Sequence, residues 1–287
     1  MDRDEIKLTI RNVKNLPTLP GVATRILQVT QDTGSSAIEL ANIIRNDPTV
    51  SAKVLNLANS SFYGFSQRIT TIPQAVVVLG FDMIRSLALG VSVFHALAAK
   101  TSEPSFEWDG FWLHSIGCGT AAKIVARDLG IRDEGTLFVA GLLHDLAKVF
   151  LDLHFRDSYH EVMKKVEAGE GPSYEIEREV MGVDHAEIGA WLAFRWKFPD
   201  LLLNPIAGHH DLSKVEEPYL RDATIVHLAN ILTKRAGIGA VYHVPVANPD
   251  DRVQSLLKLA PERVDRMSQD LGEQKAQIEE FFGYLGD

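Results

Sequence analysis

The stretch Val139-Ala140-Gly141-Leu142-Leu143-His144-Asp145-Leu146-Ala147-Lys148-Val149-Phe150 sets an imidazole and a carboxylate side by side inside an apolar run. Both groups lose solvation when such a run folds into a core, and buried polar groups persist only when paired or bound. The doublet therefore needs partners. The chain offers histidines in comparable settings: His114 in Phe111-Trp112-Leu113-His114-Ser115, His185 in Asp184-His185-Ala186-Glu187, and His209-His210 ahead of Asp211. A lone His-Asp doublet is usually a satisfied core pair, but these matching segments shift the balance toward one shared site. Imidazole nitrogen and carboxylate oxygen suit iron, zinc, manganese or nickel. A continuous helix would put His144 and Lys148 on one face with Asp145 on the adjoining flank. Asp145 could then bridge two metal ions while Lys148 directs its charge at a bound anion, an arrangement that suits phosphoryl chemistry. His95, His154, His160, His227 and His243 lack this context and read as structural or surface residues.

Outward from the doublet the patterning is helical. In Asn46-Asp47-Pro48-Thr49-Val50, Asp47 can cap backbone donors, Pro48 suits a first helical turn, and Val50, Val54 and Leu57 follow at helical spacing. This predicts a helix over 48–58, ended by the turn formers of Asn59-Ser60-Ser61-Phe62-Tyr63-Gly64. Further helices are expected over 21–30, 36–45, 73–79, 82–99, 106–129, 134–153, 159–168, 173–181, 185–196, 199–208, 221–235 and 261–285. Period-two alternation is almost confined to Val241-Tyr242-His243-Val244. The expected fold class is all-α. The softest boundary is Ala99-Lys100-Thr101-Ser102-Glu103-Pro104-Ser105, which divides an N-terminal helical subdomain, 1–100, from a helical metal-site subdomain, 101–287. In the C-terminal segment Val264, Met267, Leu271, Ile278 and Phe282 form an apolar stripe, read as packing on the protein's own core in preference to a partner.

With 287 residues, 46% of them apolar, the chain can bury a large core. Its net charge of −9 offers no basic footprint for nucleic acid, so direct DNA binding is not expected. Cys118 is the only cysteine, which excludes an intrachain disulfide and a cysteine-rich zinc module. The first residues lack signal-peptide order, and the most apolar stretch, 86–99, is too short to span a bilayer. A cytoplasmic protein is the expectation.

The order His114, His144-Asp145, His185, His209-His210 resembles the HD superfamily of metal-dependent phosphohydrolases, and is most similar to the two-metal class that includes the HD-GYP cyclic di-nucleotide phosphodiesterases. His144-Asp145-Leu146-Ala147-Lys148 matches that class's core motif, including its lysine. The N-terminal half resembles a narrower group. Leu16-Pro17-Thr18-Leu19-Pro20, Asp47-Pro48, Lys53-Val54-Leu55-Asn56-Leu57-Ala58-Asn59-Ser60-Ser61-Phe62-Tyr63-Gly64 and Ala75-Val76-Val77-Val78-Leu79-Gly80 are similar to the HDOD family, bacterial HD-related output domains associated with signal transduction. The resemblance covers about 16–233 as a single unit and implies an HD-like helical bundle. It implies one or two divalent transition ions held by His114, His144, Asp145, His185, His209 and His210, with Lys148 as a phosphate contact. Within the string, Asn56, Asn59, Ser60 and Tyr63 are expected to hydrogen-bond across the subdomain boundary in preference to forming a recognition surface.

Departures from the enzyme pattern also count. Asn230 stands where catalytic relatives usually supply an aspartate, Gly110 where the two-metal phosphodiesterases tend to carry a glutamate, and Leu212-Ser213-Lys214 replaces the Gly-Tyr-Pro signature. The expected function is a regulatory output module acting on a signalling protein partner, with a retained metal site, little or no catalysis, and room for a phosphate-containing small molecule. The alternative is a metal-dependent phosphohydrolase of nucleotides or cyclic di-nucleotides.

Overall fold

The computed structural model describes residues 6, 8, 19–31, 36–65, 67–98, 106–239, 246, 249 and 251–286. Leu16-Pro17-Thr18, the 99–105 boundary and the 241–244 alternation lie outside the described residues. Those described are helical and irregular, with no strand among them. In chain order the helices are α1 Gly21–Gln31, α2 Ala37–Arg45, α3 Pro48–Ala58, α4 Ile72–Leu79, α5 Phe81–Ala98, α6 Trp108–Asp128, α7 Glu134–Leu143, α8 Leu146–His154, α9 Arg156–Glu167, α10 Ser173–Met181, α11 His185–Arg195, α12 Asp200–Gly208, α13 Leu220–Arg235, α14 Asp251–Leu257, α15 Pro261–Glu273 and α16 Lys275–Gly286. None is long and apolar enough to cross a membrane.

Local chemistry sets many of these limits. Asp47 Oδ1 accepts from Val50 N at 3.0 Å to open α3, and Thr71 Oγ1 accepts from Gln74 N at 3.2 Å to open α4. Helix α5 is buried along most of its length and packs on α1, α3 and α7, joining the N-terminal helices to those that carry the doublet. Helices α6 and α7 come closer than most helix pairs. A Cβ on Gly119 would lie 2.7 Å from Phe138 O, and one on Gly141 would lie 2.7 Å from Cys118 O. Only glycine permits this backbone contact, which sets His114 of α6 beside the end of α7.

Two expected helices are broken. The segment 134–153 divides into α7 and α8 at His144-Asp145, where Asp145 has φ −98° and ψ 8°. The doublet therefore occupies a turn, and the continuous helical face joining His144 to Lys148 does not exist. The segment 261–285 divides at Gln274, with φ −90° and ψ 7°, and α14 was not anticipated. The apolar stripe does pack inward: Val264, Met267, Leu271 and Ile278 are buried, and α15 and α16 lie on α6. Lys53 Nζ donates to Leu285 O at 2.5 Å, so a buried ammonium on α3 caps the final helix.

Asn59, Ser60 and Tyr63 act locally, correcting the expectation that they bond across the subdomain boundary; the neighbouring Ser61 makes that crossing, its N and Oγ donating to Glu280 of α16. Asn59 Nδ2 donates to Leu55 O and Ile69 O, both at 2.7 Å, while its Oδ1 accepts from Ile69 N at 2.8 Å. Ser60 Oγ donates to Leu57 O, and the Tyr63 hydroxyl faces Met83 Sδ at 3.4 Å. Asn56 is exposed. The Asn59 carboxamide ties residue 55 to residue 69 and so closes the loop.

Candidate metal centre

Helix ends deliver the site. His144 follows the last residue of α7 and His209 the last residue of α12, where helical carbonyls have no amide partner. Each histidine turns its ring back on the carbonyl three residues earlier: His144 Nδ1 donates to Gly141 O at 2.7 Å and His209 Nδ1 to Ile206 O at 2.8 Å. One bond thus caps the helix, fixes the ring and leaves Nε2 pointing onward. His185 opens α11 behind the cap residue Asp184. Its backbone N and its Nδ1 both donate to Glu177 Oε2 of α10, at 2.7 and 2.6 Å. Asp184 Oδ1 accepts from Glu187 N, and its Oδ2 pairs with Arg178 Nε at 2.7 Å, which ties α10 to the start of α11.

The Nε2 atoms meet at Asp145. His185 Nε2 lies 2.9 Å from Asp145 Oδ1 and 3.2 Å from His209 Nε2, and His210 Nε2 lies 3.1 Å from His185 Nε2. The other carboxylate oxygen, Oδ2, lies 3.4 Å from His144 Nε2 and accepts from Lys148 Nζ at 2.7 Å. Two donor sets share the one carboxylate: Asp145 with His185, His209 and His210, and Asp145 with His114 and His144, each set with its ligand atoms within 4.8 Å of one another. The structure thus brings together all six residues singled out from the sequence. His144, Asp145, His185 and His209 are at most 2% exposed, while His210 and Lys148 are half-buried and form the edge.

Charge follows from this geometry. Burial alone would raise the Asp145 carboxyl, but His144, Lys148 and His185 beside it hold it well below the usual carboxylate range. Burial pushes His114 down to about 3 and His144 far below its ordinary value. Burial also lowers His209 and His210, with His185 adding to it in both. These four rings are neutral, which is the form that binds metals. With Nδ1 committed as donor, the Nε2 atoms of His144 and His209 carry lone pairs. The contacts near 3 Å all run through His185 Nε2, whose proton a bound cation would displace, and outer hydrogen bonds such as those on Nδ1 are what orient metal-ligating histidines. The Nε2 atoms of His114 and His144 and Oδ1 of Asn230 are buried without a hydrogen bond. Asn230 of α13 lies against His114. Such orphaned atoms need an absent partner, and the donor set present fits a divalent transition ion.

The sequence did not identify Glu177, which lies on the inner face of α10 four residues before the buried Met181. A glutamate on an apolar helical face was the available signal. Tyr174, stacked on His210 with ring centroids 4.2 Å apart, and His227, whose Nδ1 donates to His209 O at 2.8 Å, were likewise not anticipated at the site.

Residues 16–212 match the HDOD domain family. An uncharacterized protein of Treponema pallidum (strain Nichols) is 26% identical over 223 residues, which is 76% of this chain and 42% of that protein. The chain thus spans less than half of that curated relative. The crystal structure of a Geobacter sulfurreducens HDOD domain protein with unknown function superposes with a TM-score of 0.77 at 26% identity, covering 98% of this chain and 96% of that one. A Marinobacter aquaeolei VT8 structure, described as a signal transduction protein, gives a TM-score of 0.81 at 25% identity over 99% of this chain and 66% of that one. With the match covering well over half its length, the chain belongs to the HDOD family.

Proposed function

We propose that this chain is a regulatory output module whose HD-like half holds a divalent transition metal, and that it passes a signal to a protein partner with little or no turnover of its own. The observation that carries the reading is the meeting of imidazole Nε2 atoms at Asp145, with the Nδ1 atoms of His144, His185 and His209 tied to protein acceptors. Asp145, His185, His209 and His210 would hold one ion, drawn from iron, manganese, zinc or nickel; His114 and His144, sharing Asp145, would offer a second position. A bound ion would supply Lewis acidity and an acidified water. The chain's own residues work against using it. Asn230 and Gly110 contribute no carboxylate, the ligands are buried to within 2% except at the His210 edge and at His114, 9% exposed, and Lys148 is engaged by Asp145. Hydrolysis also requires a positioned water, a proton donor and space for substrate.

A second reading, a phosphohydrolase of nucleotides or cyclic di-nucleotides, draws support from Lys148. Its half-buried ammonium at the edge of the site is suited to steering a phosphate. The proposed setting is the cytoplasm, without membrane or DNA contact. Elemental analysis of tag-free protein beside a hydrolysis panel of nucleotides and cyclic di-nucleotides separates the readings. The regulatory reading expects bound metal and negligible turnover. Robust hydrolysis that Asp145→Ala abolishes establishes the enzyme instead, and metal-free protein indifferent to all four ions removes both.

A further inference from the structure

The Phe62-Tyr63-Gly64 string lies apart from the metal centre and lines a different feature. Between the turn after α3, the start of α5 and the outer part of α6 is a groove of about 340 Å³, walled by Phe62, Tyr63, Met83 and Ile124 with Lys123 and Arg127 at its polar side. Phe65 and Val78, 44% and 41% exposed, form its lip. Lys123 Nζ sits 4.8 Å from the ring centroids of both Phe62 and Tyr63. Glu134, the acidic residue of the lining, is held by Arg127 at 2.9 Å, and no carboxylate pairs with Lys123 among the described residues. Burial, assisted by Arg127 and opposed by Glu134, pushes the Lys123 pKa down to about 8. Aromatic faces stabilise an ammonium by only about 0.5–2 kcal/mol, less than the desolvation of a charge costs. For packing alone a methionine would serve this position better. The groove's exposed lining is more polar than apolar, but a half-buried cation set against the rings of Phe62 and Tyr63 places an anion site beside an aromatic wall, and the volume lies at the low end of the roughly 300–1,000 Å³ typical of small-molecule sites.

We propose that this groove binds a small organic anion, an aromatic ring carrying one carboxylate or phosphate group, with the ring against the apolar walls and the anion on Lys123. The proposal does not rest on the metal centre. A ligand there touches both the turn after α3 and helix α6, and so bridges the N-terminal helices to the helix that carries His114. That is a route by which a signal could enter an output module.

Calorimetric titration of the full chain with 2-naphthoate, adenosine monophosphate and inorganic phosphate tests it, the first two arms distinguishing a carboxylate from a phosphate ligand. At least one ring-bearing anion should bind in the micromolar range, with inorganic phosphate at least about tenfold weaker because the ring supplies apolar burial. Lys123→Met and Lys123→Gln should each weaken that binding at least about tenfold, corresponding to roughly 1.4 kcal/mol. Lys123→Arg should retain it, Lys123→Met should melt no lower than the parent, and Asp145→Ala should leave the binding intact. Failure of both ring-bearing anions to bind, equal binding of inorganic phosphate, undiminished binding by the two charge-removing variants, or loss in Asp145→Ala would overturn the proposal. None of these outcomes bears on metal content.

Discussion

The two halves of the candidate metal centre share Asp145 but are unequally built. Around Oδ1 are three imidazoles, one of them held twice by Glu177 and another locked to a helix end. At Oδ2 are His144 and a lysine already occupying the oxygen, with His114 in the same donor set and the neutral carboxamide of Asn230 beside His114. The first half offers a carboxylate and three nitrogens, enough for four-coordination. The second lacks the compensating negative charge that a second divalent ion requires. The comparison supports the proposal of one metal position beside a neighbour too poor in carboxylate for two-metal chemistry.

The sharpest break of this comparison is Asp145→Ala, which removes the group common to both halves. Bound metal should fall to near zero. At metal concentrations a thousandfold above Kd the lost linkage is about 4 kcal/mol, which for a chain of this size lowers the melting temperature by roughly 7 °C. Calorimetry with and without chelator checks this; equal melting in both conditions, for both proteins, contradicts it. Next in size is the contrast between His185→Ala and His114→Ala. The first should abolish tight uptake, whereas the second should leave one equivalent bound, as read by elemental analysis after gel filtration. Equal losses from both would erase the distinction between the halves.

Glu177→Gln asks whether orientation matters as well as ligation. It keeps a hydrogen-bonding group but removes the charge beside His185, and substitutions of this outer kind typically weaken metal affinity about 10- to 100-fold. Competition against a chromogenic chelator measures it, and an unchanged affinity would mean Glu177 only supports the fold. The same pair sets a pH signature. Burial lowers the His185 pKa, but Glu177 and Asp145 outweigh it and raise it to about 9 in metal-free protein. A folded-state value above the ordinary 6.5 gives stability that is complete below pH 6.5 and lost as pH rises through 9. Urea midpoints of the metal-free chain should therefore fall between those limits, while the metal-loaded chain, where an ion replaces the proton, should hold steady. Parallel profiles for the two forms would contradict this.

Much of this was legible in the sequence because the signals were local. Helix α3 was readable residue by residue, since Asp47 and Pro48 set its start and the turn formers after Ala58 its end. The histidines that cluster at Asp145 were readable because His114 and His144 interrupt apolar segments and His185 and His209-His210 stand at helix ends beside aspartates. The break between α7 and α8 was not, because Leu143 and Leu146 continue a helical apolar pattern and the turn is fixed by the His144 ring bonding back to Gly141 O. Nor was the break at Gln274, where the stripe from Leu271 to Ile278 keeps a helical spacing across the turn. The Asn59 loop was misread because a single carboxamide reaching residues 55 and 69 leaves no periodic trace.

The smallest expected effect is also a gain. Asn230→Asp returns a carboxylate beside His114, and should add a second, weaker equivalent of metal without altering the first. If Asn230→Asp leaves stoichiometry at one, the deficiency of the second half lies elsewhere, with Gly110 the next position to change.

The inequality of the two halves is tested most directly by a metal-binding isotherm of the unmodified chain. Metal-free protein is titrated with manganese, iron, zinc and nickel in turn, and heat and bound metal are followed together. The account predicts one tight equivalent per chain for at least one ion, followed at most by a second that is at least about tenfold weaker. Two equivalents of equal affinity, or no saturable uptake of any of the four ions, would contradict it.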